Sequence, residues 1–384
     1  MFRILISHSF FNLSRAFIGA VLIVYLLNNQ ITLTTIALAK SLQLFMSVVM
    51  NYPAGKISDR FGYKTAILIS CLCSLIYFLL ILNPTNITVL FGELFNGLSI
   101  AFYMGAYEAW IFEFKNKKEN SFTLISRSAE LFFISSIIAS IIGGLYFNQA
   151  LYFSILFMIL AIICYIITPQ NNPYSNRKIA NILKSAFFTD LKSFCKKADT
   201  QLLFSIIFVG SMQIIYQYWA IFFAKNLNIE NNYLGYILAL MLSGQWLFSF
   251  LSRKFTFNLS KYAVLISLSG VFIFSLLNLL LFLTINHYNL LNKIIITLNF
   301  IIFVAFCGLT SNLFFAKSCD KFSHLNNQSS MISLIDMNSR IIGTILLTVS
   351  SLFNIEQIPF IFLIFNGIIL VYLFSHFFLN KDSA

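Results

Sequence analysis

Apolar residues run in blocks of about twenty along nearly the whole chain, separated by short polar connections, and that rhythm predicts helices that cross a membrane. Such a block reaches across a hydrocarbon core of about 30 Å only as a helix, because lipid offers no partner for free backbone groups. A β-barrel would instead show short alternating segments. The blocks fall at 5–27, 33–53, 64–83, 88–113, 121–147, 149–168, 201–224, 233–252, 260–284, 291–316, 327–351 and 358–379. The expected fold is an all-α membrane protein with twelve transmembrane helices.

The longest polar interruption runs from Pro169 to about Thr200 and divides the spans six and six. It sets an N-terminal six-helix bundle over 1–168, a cytoplasmic central loop over 169–200 and a C-terminal six-helix bundle over 201–384. Inside the loop, Ile179, Ile182, Leu183, Ala186, Phe187, Leu191 and Phe194 recur at helical spacing, so an amphipathic helix on the membrane surface competes with a plain solvated linker. Two six-helix halves match the repeat-built transporter architecture, with a solute site near mid-membrane between them.

Of the 384 residues, 59% are hydrophobic and 10% charged, which leaves too little polar surface for a water-soluble domain. The net charge of +12 would suit nucleic acid, yet the basic residues gather in alternate connections. One side carries Arg3, Lys56, Arg60, Lys64, Lys115, Arg177, Lys261, Lys321 and Lys381 among others, and the other side only Lys225 and Lys293. Membrane topology accounts for that asymmetry, so no nucleic-acid partner is expected and both termini are placed in the cytoplasm, with the chain in the inner membrane. The first span opens after Arg3 like a signal peptide. It carries Asn12 and Arg15 and lacks a clear cleavage site, so it is expected to be retained. Six scattered cysteines form no CxxC pair and the four histidines lie far apart, so neither metal site nor cofactor is expected.

Between the second and third spans lies Asn51-Tyr-Pro-Ala-Gly55-Lys-Ile-Ser-Asp59-Arg60-Phe-Gly62-Tyr-Lys64, a tight charged turn in apolar surroundings. It resembles the signature loop of the major facilitator superfamily, G-x-x-x-D-R-x-G-x-[RK], with Gly55, Asp59, Arg60, Gly62 and Lys64 filling it in order. The two glycines permit unusual backbone angles and close helix approach, while Asp59 is suited to accept hydrogen bonds from the N-terminus of the next helix. The resemblance implies a latch on the conformational cycle, with Glu113 as salt-bridge partner near Arg60. The fourth span holds Glu93-Leu-Phe-Asn-Gly97-Leu-Ser-Ile-Ala101, similar to the family's R-x-x-x-G-x-x-x-A spacing, except that Glu93 stands where arginine is usual. The fifth span ends Gly143-Gly144 without the Gly-Pro pair of many drug exporters.

Ionisable groups inside the spans cost about 2.5 to 3.5 kcal/mol even on the lenient insertion scale, so each needs a cavity or a partner. They are Arg15, Lys40, Glu93, Glu108, Arg127, Glu130, Asp336 and Arg340. Asp336 with Arg340 and Arg127 with Glu130 are spaced to neutralise each other along one helix. Glu108 has no such neighbour and is the first choice for a proton site, with Glu93, Glu130 and Asp336 behind it. His8, Asn12, Arg15 and Gly19 form one helical stripe. In this fold the first, fourth, seventh and tenth helices line the cavity. The resemblance therefore makes Asn12, Arg15, Asn96, Gln213, Gln217 and Asn299 candidate substrate contacts, with Tyr216 and Trp219 alongside to stack on an organic solute and Arg340 among the cations. Interhelical hydrogen bonding competes for each polar residue.

The function implied is secondary active transport by alternating access, with no enzymatic step. The expected partners are the bilayer, a small-molecule solute and a proton, with sodium as the other coupling ion considered, and the chain is expected to act as a monomer. Four intramembrane cations suit an amino acid, organic acid or siderophore. A proton-driven multidrug efflux antiporter is the alternative. A membrane sensor or acyl-transfer enzyme would need a nucleotide loop, a catalytic pair or an appended domain that the chain does not show.

Overall fold

The computed structural model describes residues 2–19, 21–113, 121–169, 187–221, 223, 227–229, 231–254, 261–284, 289–322, 328–351, 366–367 and 369–371. These are almost entirely helical, and no strand occurs among the described residues. In chain order the helices are α1 (Phe2–Gly19), α2 (Leu22–Asn28), α3 (Leu33–Phe61), α4 (Tyr63–Ile81), α5 (Asn86–Tyr103), α6 (Ala106–Glu113), α7 (Ser121–Leu145) and α8 (Ala150–Ile167). They continue as α9 (Phe187–Lys197), α10 (Thr200–Ile221), α11 (Asn231–Lys254), α12 (Lys261–Thr284), α13 (Leu290–Phe322) and α14 (Gln328–Ser351). The expected span 358–379 lies mostly outside the described residues. Within it Asn366 is buried and accepts a short hydrogen bond from Ser275 on α12.

Seven helical stretches are long and apolar enough to cross a membrane among the described residues. Large apolar side chains such as Phe45, Leu79, Ile87, Tyr152 and Leu298 lie exposed on the outer faces, where only lipid would match them. Helices α1, α3 and α14 carry interior polar residues, among them Asn12 and Arg15, Lys40, and Asp336 and Arg340.

Helices α1 to α8 pack mainly on one another around a core that includes Ile67, Phe78, Trp110 and Tyr165. Helices α10 to α13 share a second core with Phe208, Phe300, Phe303 and Phe314. The halves meet along α3 with α14 and along α7 with α11. A third cluster of Tyr52, Phe194, Phe322 and Met331 seals one end and takes in the linker helix α9, whose Phe194 stacks on Phe322 at 5.7 Å. Within the segment expected to be amphipathic, residues 187–197 are helical, and 179–186 lie outside the described residues.

Two spans expected as single helices are broken. In the first, α1 ends at Gly19 and α2 starts at Leu22, with residue 20 outside the described residues; the fourth breaks at Met104–Gly105, where Met104 is extended and Gly105 takes a φ of 78°. A side chain at Gly105 would be strained by that angle and would run into Ser333 Oγ of α14. The signature segment differs from the expected turn as well. Residues 55–61 are the last two turns of α3, which carries Pro53 inside it, and only Gly62 departs from the helix, at φ 96°. Gly55 therefore serves close approach alone: a Cβ there would stand 2.8 Å from Ser333 Oγ and 2.9 Å from Ser330 Cα across the interface between halves.

Candidate functional site

Between the halves lies a cavity of about 640 Å³, walled by α1, α5, α6 and α7 from one half and α10, α11, α13 and α14 from the other. Most of its wall is apolar or aromatic, so its few polar groups decide what it can hold.

Arg15 reaches the wall from α1. Its Nη2 donates to Asn96 Oδ1 at 2.6 Å and its Nη1 to Ser74 Oγ at 3.0 Å and Ser99 Oγ at 3.3 Å. Asn96 in turn donates to Glu93 Oε2 at 2.8 Å, and Glu93 accepts from Lys40 Nζ at 2.8 Å and from Tyr77 at 3.4 Å. A continuous polar chain thus runs Lys40–Glu93–Asn96–Arg15 from α3 through α5 to the cavity. The two inner charges cancel, which leaves the Arg15 guanidinium as the charged end that meets the space.

Deeper along the same wall, rings are stacked in register. Phe11 lies on Tyr103 at 3.9 Å and 1°, and His8 on Tyr107 at 3.9 Å and 7°. His8 Nδ1 bonds the Tyr103 hydroxyl at 2.6 Å and its Nε2 accepts from Asn12 at 2.9 Å, so both ring nitrogens are held within the protein. On the facing wall, Gln245 Nε2 donates to Tyr216 Oη at 2.9 Å beside Gln213 and Asn312.

Glu108 and Asp336 also line the cavity. Glu108 Oε2 accepts from the backbone N–H of Gly105 at 2.7 Å, and the residue forms no ion pair among the described residues. Asp336 accepts from Arg340 Nε at 2.6 Å and from Asn51 Nδ2 of the other half at 2.8 Å.

Beyond Asp336 along α14 the halves are held together. Asp59 at the end of α3 accepts from the backbone N–H groups of Ser329 at 3.1 Å and Ser330 at 3.0 Å, and from the Ser330 hydroxyl. It thereby caps α14, a helix of the opposite half, where the following helix α4 had been the expected donor. The reason is geometric: α3 stays helical through Phe61, which swings Asp59 away from α4 and toward α14. Burial pushes the Asp59 carboxyl up to about 6, against the downward pull of those hydrogen bonds. Lys64 holds the other side of the turn by donating to the Ile166 and Thr168 carbonyls at 2.7 and 2.9 Å, the open end of α8. Arg60 lies over the Phe61 ring at 4.8 Å. The Glu113 side chain lies outside the described residues.

The Major Facilitator Superfamily profile matches residues 4–347. The chain belongs to that superfamily. Solved structures similar to this member include the human organic anion transporter MFSD10 (TETRAN), with TM-score 0.69 and 11% identity over 97% of both chains. The E. coli fucose:proton symporter FucP matches at TM-score 0.69 and 15% identity over 97% of both chains. An MFS transporter structure titled FucP in the outward conformation matches at 0.69 and 14% over 98% of both. No curated protein sequence matches significantly.

Against this superfamily fold, the residues singled out from sequence separate cleanly. Asn12, Arg15, Gln213, Tyr216, Glu108 and Asp336 reach the cavity. Asn96 and Glu93 stand behind Arg15, and Arg340 stands behind Asp336. Asn299 is buried elsewhere, donating to the Phe274 carbonyl at 3.2 Å, and Trp219 packs on Phe223 in the second core. The Gln217 side chain lies outside the described residues. Both Glu130 oxygens accept from Arg253, at 2.7 Å each, a partner across the halves that sequence spacing alone did not suggest. Sequence reasoning missed Tyr103, Tyr107 and Gln245 as wall residues. The first two carry a usable signal, lying seven and eleven residues beyond Asn96 on the same predicted span.

Proposed function

We propose that this superfamily member is a secondary active transporter that moves a small polar or charged organic solute across the inner membrane by alternating access, coupled to protons. The observation that carries the reading is a cavity walled by both halves, with contacts made only between halves beside it, Asp59 with α14 foremost. Contacts of that kind stabilise one conformation of the pair without contributing to the fold of either half, as a rocking mechanism requires. With the signature end in the cytoplasm, as the positive-inside rule places it, this conformation faces outward.

Glu108 is the proposed proton site. It faces the solute space, carries no ion partner among the described residues, and sits beside the Asp59-dependent closure through Gly105, which packs on Ser333. Glu93 and Glu130, tied to Lys40 and Arg253, are better suited to structure. FucP, described as a proton symporter, has the same fold, which makes such coupling compatible with the architecture.

The apolar, aromatic wall also favours efflux of lipophilic compounds as a second reading. Proteoliposomes loaded with a pH-sensitive dye separate the readings. Solute-driven proton flux with organic acids or amino acids, lost in Glu108→Gln, supports the first; flux driven only by lipophilic cations supports the second. Solute flux that persists unchanged after the proton gradient is collapsed would remove the coupling.

A further inference from the structure

We infer that the cavity selects an amphipathic organic anion, holding its acidic group on Arg15 and its apolar body along the Phe11–Tyr103 wall. The inference rests on the transport reading above and narrows its solute class.

Three observations carry it. First, the Arg15 guanidinium gives its three hydrogen bonds to neutral oxygens, of Asn96, Ser74 and Ser99. A guanidinium carries five N–H donors, so those three bonds leave Nε–H and one Nη2–H with no protein acceptor among the described residues. That pair suits a carboxylate or sulfonate approached side-on. Secondly, Glu93, the carboxylate nearest this chain of bonds, is neutralised by Lys40 at 2.8 Å and reaches Arg15 only through Asn96. Arg15 is therefore oriented by its neighbours without being neutralised by direct contact, the condition a bound anion would exploit.

Thirdly, neither cavity carboxylate contacts Arg15 among the described residues: Asp336 is paired with Arg340, and Glu108 accepts from the Gly105 N–H. An α-amino acid holding its carboxylate on Arg15 would therefore find no carboxylate in contact with that guanidinium to receive its ammonium, which hangs from the same carbon. Between Arg15 and Glu108 the wall offers Phe11, Tyr103 and the His8–Tyr107 stack, with the Tyr103 hydroxyl and both His8 nitrogens already bonded inside the protein. A flat or aliphatic body fits there; a second charge near the first does not.

The test is ligand-induced thermal stabilisation of the full-length protein in detergent, using 3-phenylpropionate, 1-naphthoate and octanoate. Each is paired with its amide, and 3-phenylpropionate is also paired with phenylalanine. At least one carboxylate should bind about tenfold more tightly than its amide, and phenylpropionate more tightly than phenylalanine. Arg15→Gln should bring acid and amide to equal affinity while Arg15→Lys keeps part of the preference. Should Arg15→Gln not purify folded, the wild-type pairs and Arg15→Lys still decide. The inference is overturned if no carboxylate binds, if amides bind as well as acids, or if phenylalanine binds better than phenylpropionate. Failure of the transport reading looks different: an Arg15-dependent carboxylate preference with no flux of that acid into proteoliposomes. Conversely, proton-driven flux of some other solute without any acid preference leaves transport standing and removes the anion subsite.

Discussion

Arg253 at the end of α11 reaches across to Glu130 on α7 with two parallel hydrogen bonds of 2.7 Å, so the halves are joined by a bidentate ion pair as well as by the Asp59 cap. Its side chains are 28% and 10% exposed, between the surface and buried limits for such pairs. Glu130→Gln should therefore cost about 1–3 kcal/mol of stability, measured as a fall in melting temperature or denaturant midpoint. The exchanged pair, Glu130→Arg with Arg253→Glu, should recover part of the loss, and additive losses would contradict a direct interaction.

The Lys40–Glu93 pair makes an unusual prediction about the family's own residue. Arginine is usual at position 93 in the resembling motif, yet here it would face Lys40 and, through Asn96, Arg15. Glu93→Gln should destabilise by about 3 kcal/mol by leaving a partly buried lysine unpaired. Glu93→Arg should be worse still, and Lys40→Glu should rescue it. Thermal melting of the three variants checks the order.

Asp59 sets a pH dependence. Its carboxyl, raised from an ordinary 3.8 to about 6 by burial, holds a proton more readily in this structure than when unfolded. The corresponding stability is fully present below about pH 3.8 and is lost as pH rises through about 6. Melting temperature should thus carry a downward slope over roughly pH 4.5 to 7 that Asp59→Asn lacks. A wild type and variant with parallel profiles would show that the carboxyl does not titrate there.

Gly55 bounds how closely α3 can meet α14. A Cβ at that position would stand 2.8 and 2.9 Å from Ser333 and Ser330, so Gly55→Val should push the halves apart at the signature end. A cysteine placed at buried Ser58 should then react faster with a membrane-impermeant thiol reagent. Unchanged labelling would mean that the contact is absorbed locally.

The sequence made the lengthwise order legible: apolar blocks marked the helices, and the α1 stripe of His8, Asn12 and Arg15 does border the cavity. What it could not reveal are pairings across the halves. Asp59 and Ser330 are 271 residues apart and Glu130 and Arg253 are 123 apart, separations with no local periodicity to betray them. The i,i+3 spacing of Arg127 and Glu130 speaks only of a neighbour on the same helix and is silent about Arg253. Helix breaks at Gly105 were hidden for a related reason: Gly105 answers to Ser333, a contact made in three dimensions.

The central claim, that inter-half contacts at the signature end open and close around the cavity, is tested most directly by the distance between spin labels at exposed Phe61→Cys and native Cys195, with the other cysteines replaced. Two populations are expected, with the longer one enriched by Asp59→Asn, which weakens the cap on α14. A single distance, unmoved by Asp59→Asn and by every solute tried, would contradict it.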